Sequence, residues 1–308
     1  MEAEDFHFGA FHRGELVAFI SALKKTLGPV TIVNSNPFYG SHGGISVSSK
    51  VKGKKELVII LLKYFVTKCQ EIGAASSVII EPLDNKYKTL YLGISNPDVT
   101  EERIGQILKD ISFDEEKMLT RYHETRKRNI RKAQRSDIRI SKAENVRDSF
   151  HFLYGTHVNN MTAISGNPKP QKFFDLIPEY FLLGEDYDIY EAFLKKERIA
   201  SLLVFYFNET VEYYTPVIVQ KYRALQPMSL LIHTTIMDSA ERGYKNFNFG
   251  GTWKTQHGLY NFKKKWGCSE VPYMYYINRF TEFELDLNDL LHKFKGFYIY
   301  PTELRIRK

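Results

Sequence analysis

Hydrophobic positions recur at helical spacing in several stretches of the chain, and short apolar or alternating runs typical of strands lie between them. The helical period predicts helices over 15–27, 54–72, 100–108, 114–134, 146–160, 173–183, part of 223–243, and 285–295. Strand-like runs cover 30–33, 45–48, 77–81, 88–94, 138–141, 187–194, 198–207, 210–217, 244–249 and 273–277. Helices beside strand pairs in this order are typical of an α/β (α+β) protein with mixed sheets flanked by helices.

The length of 308 residues favours two domains of ordinary size. Both halves run in a similar order of helix, strands, helix and strand, which predicts an N-terminal domain over 1–140 and a C-terminal domain over 141–308. No G-x-G-x-x-G follows the first strand and no G-x-x-x-x-G-K-[ST] occurs, so neither a dinucleotide fold nor a P-loop is predicted.

The formal net charge of +7 favours anionic partners such as phosphates, nucleotides, tRNA or an acidic membrane surface. Cys69 and Cys268 lie far apart, which gives neither a metal-ligand spacing nor a disulfide scaffold and fits a reducing compartment. The apolar run 57–62 is far shorter than the roughly 20 residues of a membrane span. We therefore expect a cytoplasmic protein without a metal or redox cofactor, and peripheral membrane contact stays open.

A predicted strand ends in the glycine pair Gly250-Gly251, followed by Thr252 and then by an aromatic and basic run. Adjacent glycines permit positive φ angles and let a ligand approach the backbone closely. The run contains Tyr260, Phe262 and Lys263, so a cation lies a few residues from stacking rings. This segment suits a phosphorylated ligand held near a reacting carbonyl or amine.

Two further blocks precede this segment at definite distances. The first is Arg128-Asn129-Ile130-Arg131-Lys132-Ala133, on a predicted helix that leads into a strand. The second is Tyr214-Thr215-Pro216, followed by Arg223, Pro227 and a helix that ends at Gly243.

The order and spacing of the three blocks, from about residue 117 to 267, resemble the Fem-type (FemAB-like) aminoacyl transferases of the GNAT-like acyltransferase group. The resemblance implies two GNAT-like domains and transfer of an amino acid from aminoacyl-tRNA, with formation of an amide on a cell-wall precursor. Relatives in surface-polysaccharide clusters acylate amino sugars instead. The family's lysine at the transfer site corresponds to Lys263, accompanied here by Phe262 and Tyr260.

Amide formation needs a stabiliser for the oxyanion and a group that accepts a proton. Lys263 could place positive charge near the oxyanion, or could bind phosphate without joining the chemistry. Glu212 and Tyr214 lie two apart on a predicted strand and so share one face. Either of them, or His257 beside Gly258, could accept the proton, and the sequence does not choose among the three.

The choice of donor depends on the segment before the predicted helix that starts near Pro227. CoA-dependent GNAT enzymes carry a glycine-rich R/Q-x-x-G-x-G/A loop there, whose N–H groups hold pyrophosphate. This chain has Gln220-Lys221-Tyr222-Arg223-Ala224-Leu225-Gln226, without glycine, which favours aminoacyl-tRNA over acyl-CoA. Three arginines are predicted to hold phosphates or a tRNA acceptor end: Arg128, Arg131 and Arg223.

The acceptor is predicted to be a phosphorylated sugar, peptide or other amine. The polar loop that contains Asn36, Gly43 and Gly44 could line its binding site or could simply connect two strands. Two alternatives are an acyl-CoA-dependent N-acyltransferase acting on an amino sugar, and a non-catalytic RNA-binding module built on the basic helix.

Overall fold

The computed structural model describes residues 3–36, 43–83, 85–253, 255–281, 293, 294 and 297. The chain forms two compact units, the first from residues 1–104 and 271–308 and the second from residues 105–270. The predicted boundary after residue 140 would cut the strand Ile138–Lys142 inside the second unit. The N-terminal part of the first unit therefore ends earlier than expected, at residue 104, and the unit also includes the C-terminal segment from residue 271.

The first unit contains strands and two helices in the described residues. They are β1 Glu4–Asp5, β2 Phe8–His12, β3 Glu15–Ile20, β4 Leu23–Leu27, β5 Val30–Asn34, β6 Ile45–Val47, α1 Lys54–Glu71, β7 Ser76–Ile80 and α2 Lys88–Ser95. The strand β8, Val99–Leu108, leads out of this unit.

The second unit alternates helices with an antiparallel meander. Its elements are α3 Glu115–Arg121, α4 Glu124–Arg135, β9 Ile138–Lys142, α5 Val146–Thr162, α6 Gln171–Tyr180, β10 Tyr187–Leu194, β11 Glu197–Phe207, β12 Thr210–Ile218, a 3₁₀ helix Gln220–Leu225, α7 Pro227–Glu241, β13 Asn246–Thr252 and α8 His257–Lys264. The strand β14, Ser269–Arg279, returns the chain to the first unit.

In the first unit the strands β1, β4, β5, β7 and β14 lie side by side in that order, with β5 and β7 parallel. A second, antiparallel sheet has the order β2, β3, β6. Buried residues of α1 recur at helical spacing and pack on this core: Val58, Leu61, Leu62, Phe65 and Cys69. Their apolar stripe accounts for the predicted helix.

In the second unit the strands lie in the order β13, β12, β11, β10, β9. The β12–β13 pair is parallel, and the others are antiparallel. One hydrophobic cluster covers the sheet together with α4 and α7, and another covers it together with α5 and α6. These mixed sheets flanked by helices confirm the predicted fold class.

Two irregularities occur near the middle of β12. Leu203 pairs with Thr215 while Val204 pairs with Tyr213, so Tyr214 is an extra residue, as in a β-bulge. The parallel ladder with β13 covers three positions and ends at Glu212 and Asn248. The end of the ladder and the bulge therefore lie two residues apart on β12. A bulge bends its strand, so β12 bends close to the point where its pairing with β13 ends.

Three predicted elements are wrong in type. Residues 15–27 form β3 and β4 instead of a helix, residues 88–94 lie in α2 instead of a strand, and residues 100–108 belong to β8 instead of a helix. In 15–27, pairing of β3 with β2 and β6 and of β4 with β5 overrides a local apolar spacing that fits either structure.

The predicted helix 114–134 is interrupted between α3 and α4. Tyr122 is buried against Trp266 with extended backbone, and His123 begins α4 by accepting the Thr125 N–H through Nδ1 at 3.2 Å. The helix α8, in the aromatic and basic run, was not predicted. The predicted helix 285–295 lies outside the described residues except for Lys293 and Phe294.

Candidate active site

The ladder between β12 and β13 ends in a side-chain pair. The Asn248 amide donates to both carboxylate oxygens of Glu212, at 3.0 and 2.9 Å, and its own oxygen accepts the Gly250 N–H at 2.9 Å. Burial raises the pKa of Glu212, and the Asn248 hydrogen bonds oppose that shift. One carboxylate with a raised pKa is thereby tied to the glycine turn, which is the Gly250-Gly251 pair in the last part of β13, where Gly250 has a positive φ.

Lys263 binds that same turn from α8. Its Nζ donates to the carbonyl oxygens of Gly250 and Gly251, both at 3.1 Å, and to Thr252 Oγ1 at 2.8 Å. The residue is only 4 % exposed. An ammonium group has three N–H donors, and these three bonds account for all of them. Lys263 therefore fixes the glycine turn, and a direct hydrogen bond to an oxyanion would require one of these bonds to be released.

Of the glycine pair, Gly250 has a positive φ of 74°, which confirms the need for glycine at this position. Gln106 adds two hydrogen bonds next to the glycine turn. Its Nε2 donates to the Tyr260 carbonyl at 3.1 Å, and its Oε1 accepts from Thr252 Oγ1 at 3.4 Å. One hydrogen-bonded chain thus joins Glu212, through Asn248 and the glycine turn, to Lys263, Thr252 and α8.

Tyr214, the bulge residue of β12, faces a second group. The Lys169 Nζ lies 4.6 Å from the centre of the Tyr214 ring and donates to Thr215 Oγ1 at 3.0 Å. Phe173 stacks on Tyr214 with ring centres 5.9 Å apart. Burial lowers the pKa of Lys169 to about 8. A partly desolvated cation beside two stacked aromatic rings is suited to holding an anionic group.

His157 positions the loop that carries Lys169. The His157 ring is buried, and its Nε2 accepts the Lys169 backbone N–H at 3.0 Å. Burial, followed by the charge of Lys169, lowers the pKa of His157 to about 4. His157 is therefore neutral near pH 7, and its protonation would remove the acceptor that holds the loop.

This arrangement predicts an acid-sensitive contribution to stability. The unfolded chain binds the His157 proton at about pH 6.5 and the folded chain only at about pH 4, so stability should fall as the pH drops through this window. The expected loss between pH 7 and pH 5 is about 2 kcal/mol. Urea denaturation of the wild type and of His157→Gln, which keeps an acceptor but does not titrate, measures the difference. Equal pH dependence of the two proteins would contradict this role.

The structure leaves several predicted residues outside this network. His257 and Arg223 are exposed, at the start of α8 and in the 3₁₀ helix. Arg128 and Arg131 are also exposed on α4, whereas Arg126, Ile130 and Ala133 form the buried face of that helix. Phe262 lies beside Lys263 in α8 and contacts Arg126, whose Cζ is 4.4 Å from its ring centre.

Asn36, Gly43 and Gly44 lie in the first unit. A Cβ atom added to Gly43 would meet Asn36 Cβ at 2.8 Å, and one added to Gly44 would meet Ile80 O and Tyr91 Oη at 2.9 Å. Gly44 also has a positive φ of 80°. These contacts give the two glycines a packing role, while residues 37–42 of the predicted acceptor loop lie outside the described residues.

Sequence reasoning did not select three residues that the structure brings into the site: Asn248, Gln106 and Lys169. Asn248 belongs to the Asn-Phe-Gly-Gly block, but its partner Glu212 can be identified only from the parallel pairing of β12 with β13. Lys169 stands between two prolines just before α6, a rigid context that could have indicated a fixed lysine.

The segment before α7 differs from a phosphate-binding loop. Residues Gln220–Leu225 form a 3₁₀ helix, in which the Tyr222 N–H donates to Val219 O at 2.9 Å. The Gln226 N–H donates to Arg223 O at 3.1 Å, and Pro227 at the first position of α7 has no N–H. Two backbone N–H groups near this helix start are therefore used internally, and Pro227 offers none.

Residues 120–264 match the sequence profile of a family described as Acetyltransferase (GNAT) domain, a stretch that lies within the second unit. A search of curated proteins gave no match. The profile match and the site define a GNAT-fold protein and support its assignment to the acyltransferases.

Solved structures agree with this assignment at the level of fold. FemX has a TM-score of 0.67 at 12% identity, over 95% of this chain and 90% of its own. The C-terminal domain of a putative lysylphosphatidylglycerol synthetase from Agrobacterium fabrum has a TM-score of 0.60 at 11% identity, over 95% and 87%. A tandem GNAT protein from the clavulanic acid biosynthesis pathway has a TM-score of 0.52 at 7% identity, over 92% and 85%. The chain thus has the Fem-like GNAT fold that its motifs predicted.

Among the described residues, no helix is long and apolar enough to cross a membrane.

Proposed function

We propose that this protein is an amide-forming transferase that moves an aminoacyl group from aminoacyl-tRNA to an amine of a phosphorylated acceptor. The acceptor would be a cell-wall, polysaccharide or small-molecule precursor. The observation that carries the proposal is the hydrogen-bonded chain from Glu212 to Lys263 at the point where β12 and β13 stop pairing. The fold shared with FemX supports it.

The proposed reaction forms one C–N bond and breaks one ester C–O bond. The acceptor amine attacks the carbonyl carbon of the aminoacyl ester, Glu212 accepts a proton from the amine nitrogen, and Glu212 then returns that proton to the ribose oxygen, which leaves as a hydroxyl. Lys263 holds the glycine turn and adds positive charge on the side where the oxyanion develops. Lys169 and Tyr214 would hold an anionic group of the acceptor.

The start of α7 supports the proposed donor class. The 3₁₀ helix Gln220–Leu225 offers no glycine loop for the pyrophosphate of CoA. This favours a donor bound through its ester and its RNA, and the exposed Arg128 and Arg131 on α4 provide charge for RNA phosphates.

The test is transfer of label from a mixture of ¹⁴C-aminoacyl-tRNAs, with a low-molecular-weight extract that contains sugar nucleotides as the acceptor source. We expect acceptor-dependent appearance of label in a small product, above the rate of spontaneous deacylation. The product would then identify the amino acid. Absence of acceptor-dependent release at every amino acid tested would contradict the proposal.

The second candidate is an acyl-CoA-dependent N-acyltransferase acting on an amino sugar, which the acetyltransferase profile over 120–264 favours. It predicts that acetyl-CoA stabilises the protein by about 2.7 kcal/mol at a hundredfold excess over Kd, measured by thermal unfolding. Salt-sensitive RNA binding without turnover or CoA stabilisation would instead point to a non-catalytic RNA-binding module.

A further inference from the structure

The hairpin of β2 and β3 carries exposed apolar side chains at its closed end. Phe11 is 69 % exposed and Leu16 is 52 % exposed, and the two residues pair across the hairpin. Arg13 and Gly14, which join the strands, both have positive φ angles, 51° and 83°, as in a two-residue type I′ turn. A tight turn of this kind fixes the end of the hairpin, so the apolar pair is held in solvent on a defined backbone.

Phe11 and Leu16 lie on the face of the small sheet that α1 does not cover. A Cβ atom added to Gly9 would meet Leu16 Cδ1 at 2.7 Å and Phe11 Cε2 at 3.2 Å, so both side chains lie over Gly9. The residues on either side of Gly9, Phe8 and Ala10, pack on the core that contains α1. Side chains alternate between the two faces of a strand, so the apolar pair and the core lie on opposite faces.

A lysine-rich segment runs beside the same end of the hairpin. The Ser48 N–H, just after β6, donates to the Val17 carbonyl at 2.9 Å, which extends the pairing with β3 toward Leu16. The segment then leads into α1. The cations of this region are Arg13, Lys50, Lys52, Lys54 and Lys55, and all of them are exposed except Lys54, which is half-buried.

These cations are not neutralised by neighbouring carboxylates. Among the residues that the structure describes, none of the five forms an ion pair. Glu15 and Glu56 are the carboxylates closest to them in sequence, so the region has five cations against two carboxylates. Single exposed cations and single exposed apolar residues are ordinary on a protein surface. Their combination is complementary to a surface in which anionic groups cover an apolar layer.

We propose that this hairpin end, Phe11 and Leu16 with the five cations around them, docks on a bilayer that contains anionic lipids. The cations contact the headgroups, and the two apolar side chains enter the boundary between headgroups and acyl chains. RNA would match the charge, but it has no apolar layer to receive Leu16. The docking is independent of the proposed transfer reaction, because it needs neither donor nor acceptor.

The first test measures co-sedimentation with vesicles of phosphatidylcholine, alone or mixed with an equal amount of phosphatidylglycerol. The wild type should bind the mixed vesicles more strongly, and added salt should weaken this binding. The double variant Phe11→Ser with Leu16→Ser should lower the partition coefficient at least ~20-fold. Ile60→Ser is the matched control, because Ile60 is 57 % exposed on α1, on the other side of the sheet. It should change the partition coefficient less than about twofold.

A second pair of variants tests the charge. Lys50→Gln combined with Lys52→Gln should lower the partition coefficient about tenfold on mixed vesicles. The exposed Lys63 of α1 provides the control, and Lys63→Gln should change it less than about twofold. All the substituted side chains are exposed, so circular dichroism should show the wild-type fold in every variant.

A tryptophan at position 11 measures insertion directly. The added fluorescence of Phe11→Trp should be quenched by brominated acyl chains in mixed vesicles, whereas that of Ile60→Trp should not. No binding of the wild type to mixed vesicles at low salt, or equal binding by the double serine variant, would overturn the proposal. It would also be overturned if the lysine variant lost binding to an RNA oligonucleotide while the wild type left the vesicles unbound, since the charge would then serve RNA.

Discussion

Replacing Lys263 with methionine should lower the free energy of unfolding by about 3 kcal/mol, because three acceptors at the end of β13 lose the ammonium that now binds them. These acceptors are the carbonyl oxygens of Gly250 and Gly251 and the hydroxyl of Thr252. Urea denaturation followed by circular dichroism measures the change. Under the proposed function the same variant should lose a factor of ~10²–10³ in kcat/KM for transfer, since the Lys263 ammonium would no longer place positive charge near the developing oxyanion.

The adjacent lysine provides the control for Lys263. Lys264 is exposed and interacts at the surface with Tyr260 and Glu270. Lys264→Met should therefore leave the free energy of unfolding nearly unchanged. If Lys263→Met were as stable as Lys264→Met, the buried ammonium could not be holding the glycine turn.

Replacing Glu212 with glutamine should lower kcat by ~10²–10⁴-fold, the usual range for loss of a general base. Burial raises the pKa of Glu212, so the wild-type rate should fall on the acid side with a midpoint above the ordinary glutamate value. The variant should lose this acid limb. Because burial disfavours the charged carboxylate, Glu212→Gln is expected to be at least as stable at pH 7, which separates a lost rate from unfolding.

Three controls decide among the candidate bases. Glu209→Gln removes an exposed carboxylate of the hairpin that precedes β12 and should leave the rate unchanged. Tyr214→Phe and His257→Ala should keep the acid limb. An acid limb that persists in Glu212→Gln and disappears in His257→Ala would transfer the base role to the exposed histidine.

The sequence was most informative where a pattern is long and local. The meander from 187 to 217 has strong strand character and a tight turn at Asn208, whose φ is 52°, and it is confirmed. The stretch 15–27 was wrong because its apolar spacing fits a helix as well as two strands. β3 pairs with the neighbouring β2 and β4 with the neighbouring β5, while the pairing of β3 with β6 joins segments farther apart in the chain.

The site shows the same limit at the level of single residues. Glu212 was one of three candidate bases in the sequence, and its partner Asn248 lies 36 residues away and meets it through parallel pairing. Lys263 was expected to present its charge to a ligand, whereas the structure buries it against backbone carbonyls. Its role in transfer stays a prediction.

Arg126 could have been separated from the other cations of its helix. It stands four and seven residues before Ile130 and Ala133, which places all three on one helical face. Charge alone does not distinguish the cations of this helix from one another. The helical spacing of Arg126 from the apolar Ile130 and Ala133 identifies it as the cation on the buried face.

The short ladder between β12 and β13 has a consequence for how a donor would be recognised. Each strand has a backbone edge beyond Glu212 and Asn248 that the other does not pair with. An ester or amide that entered there would complete the sheet as a short inserted strand, held by main-chain geometry common to all amino acids. Main-chain contacts of this kind do not depend on the side chain of the transferred amino acid. The RNA that carries the amino acid would then determine which one is transferred. The same reacting groups could therefore transfer different amino acids.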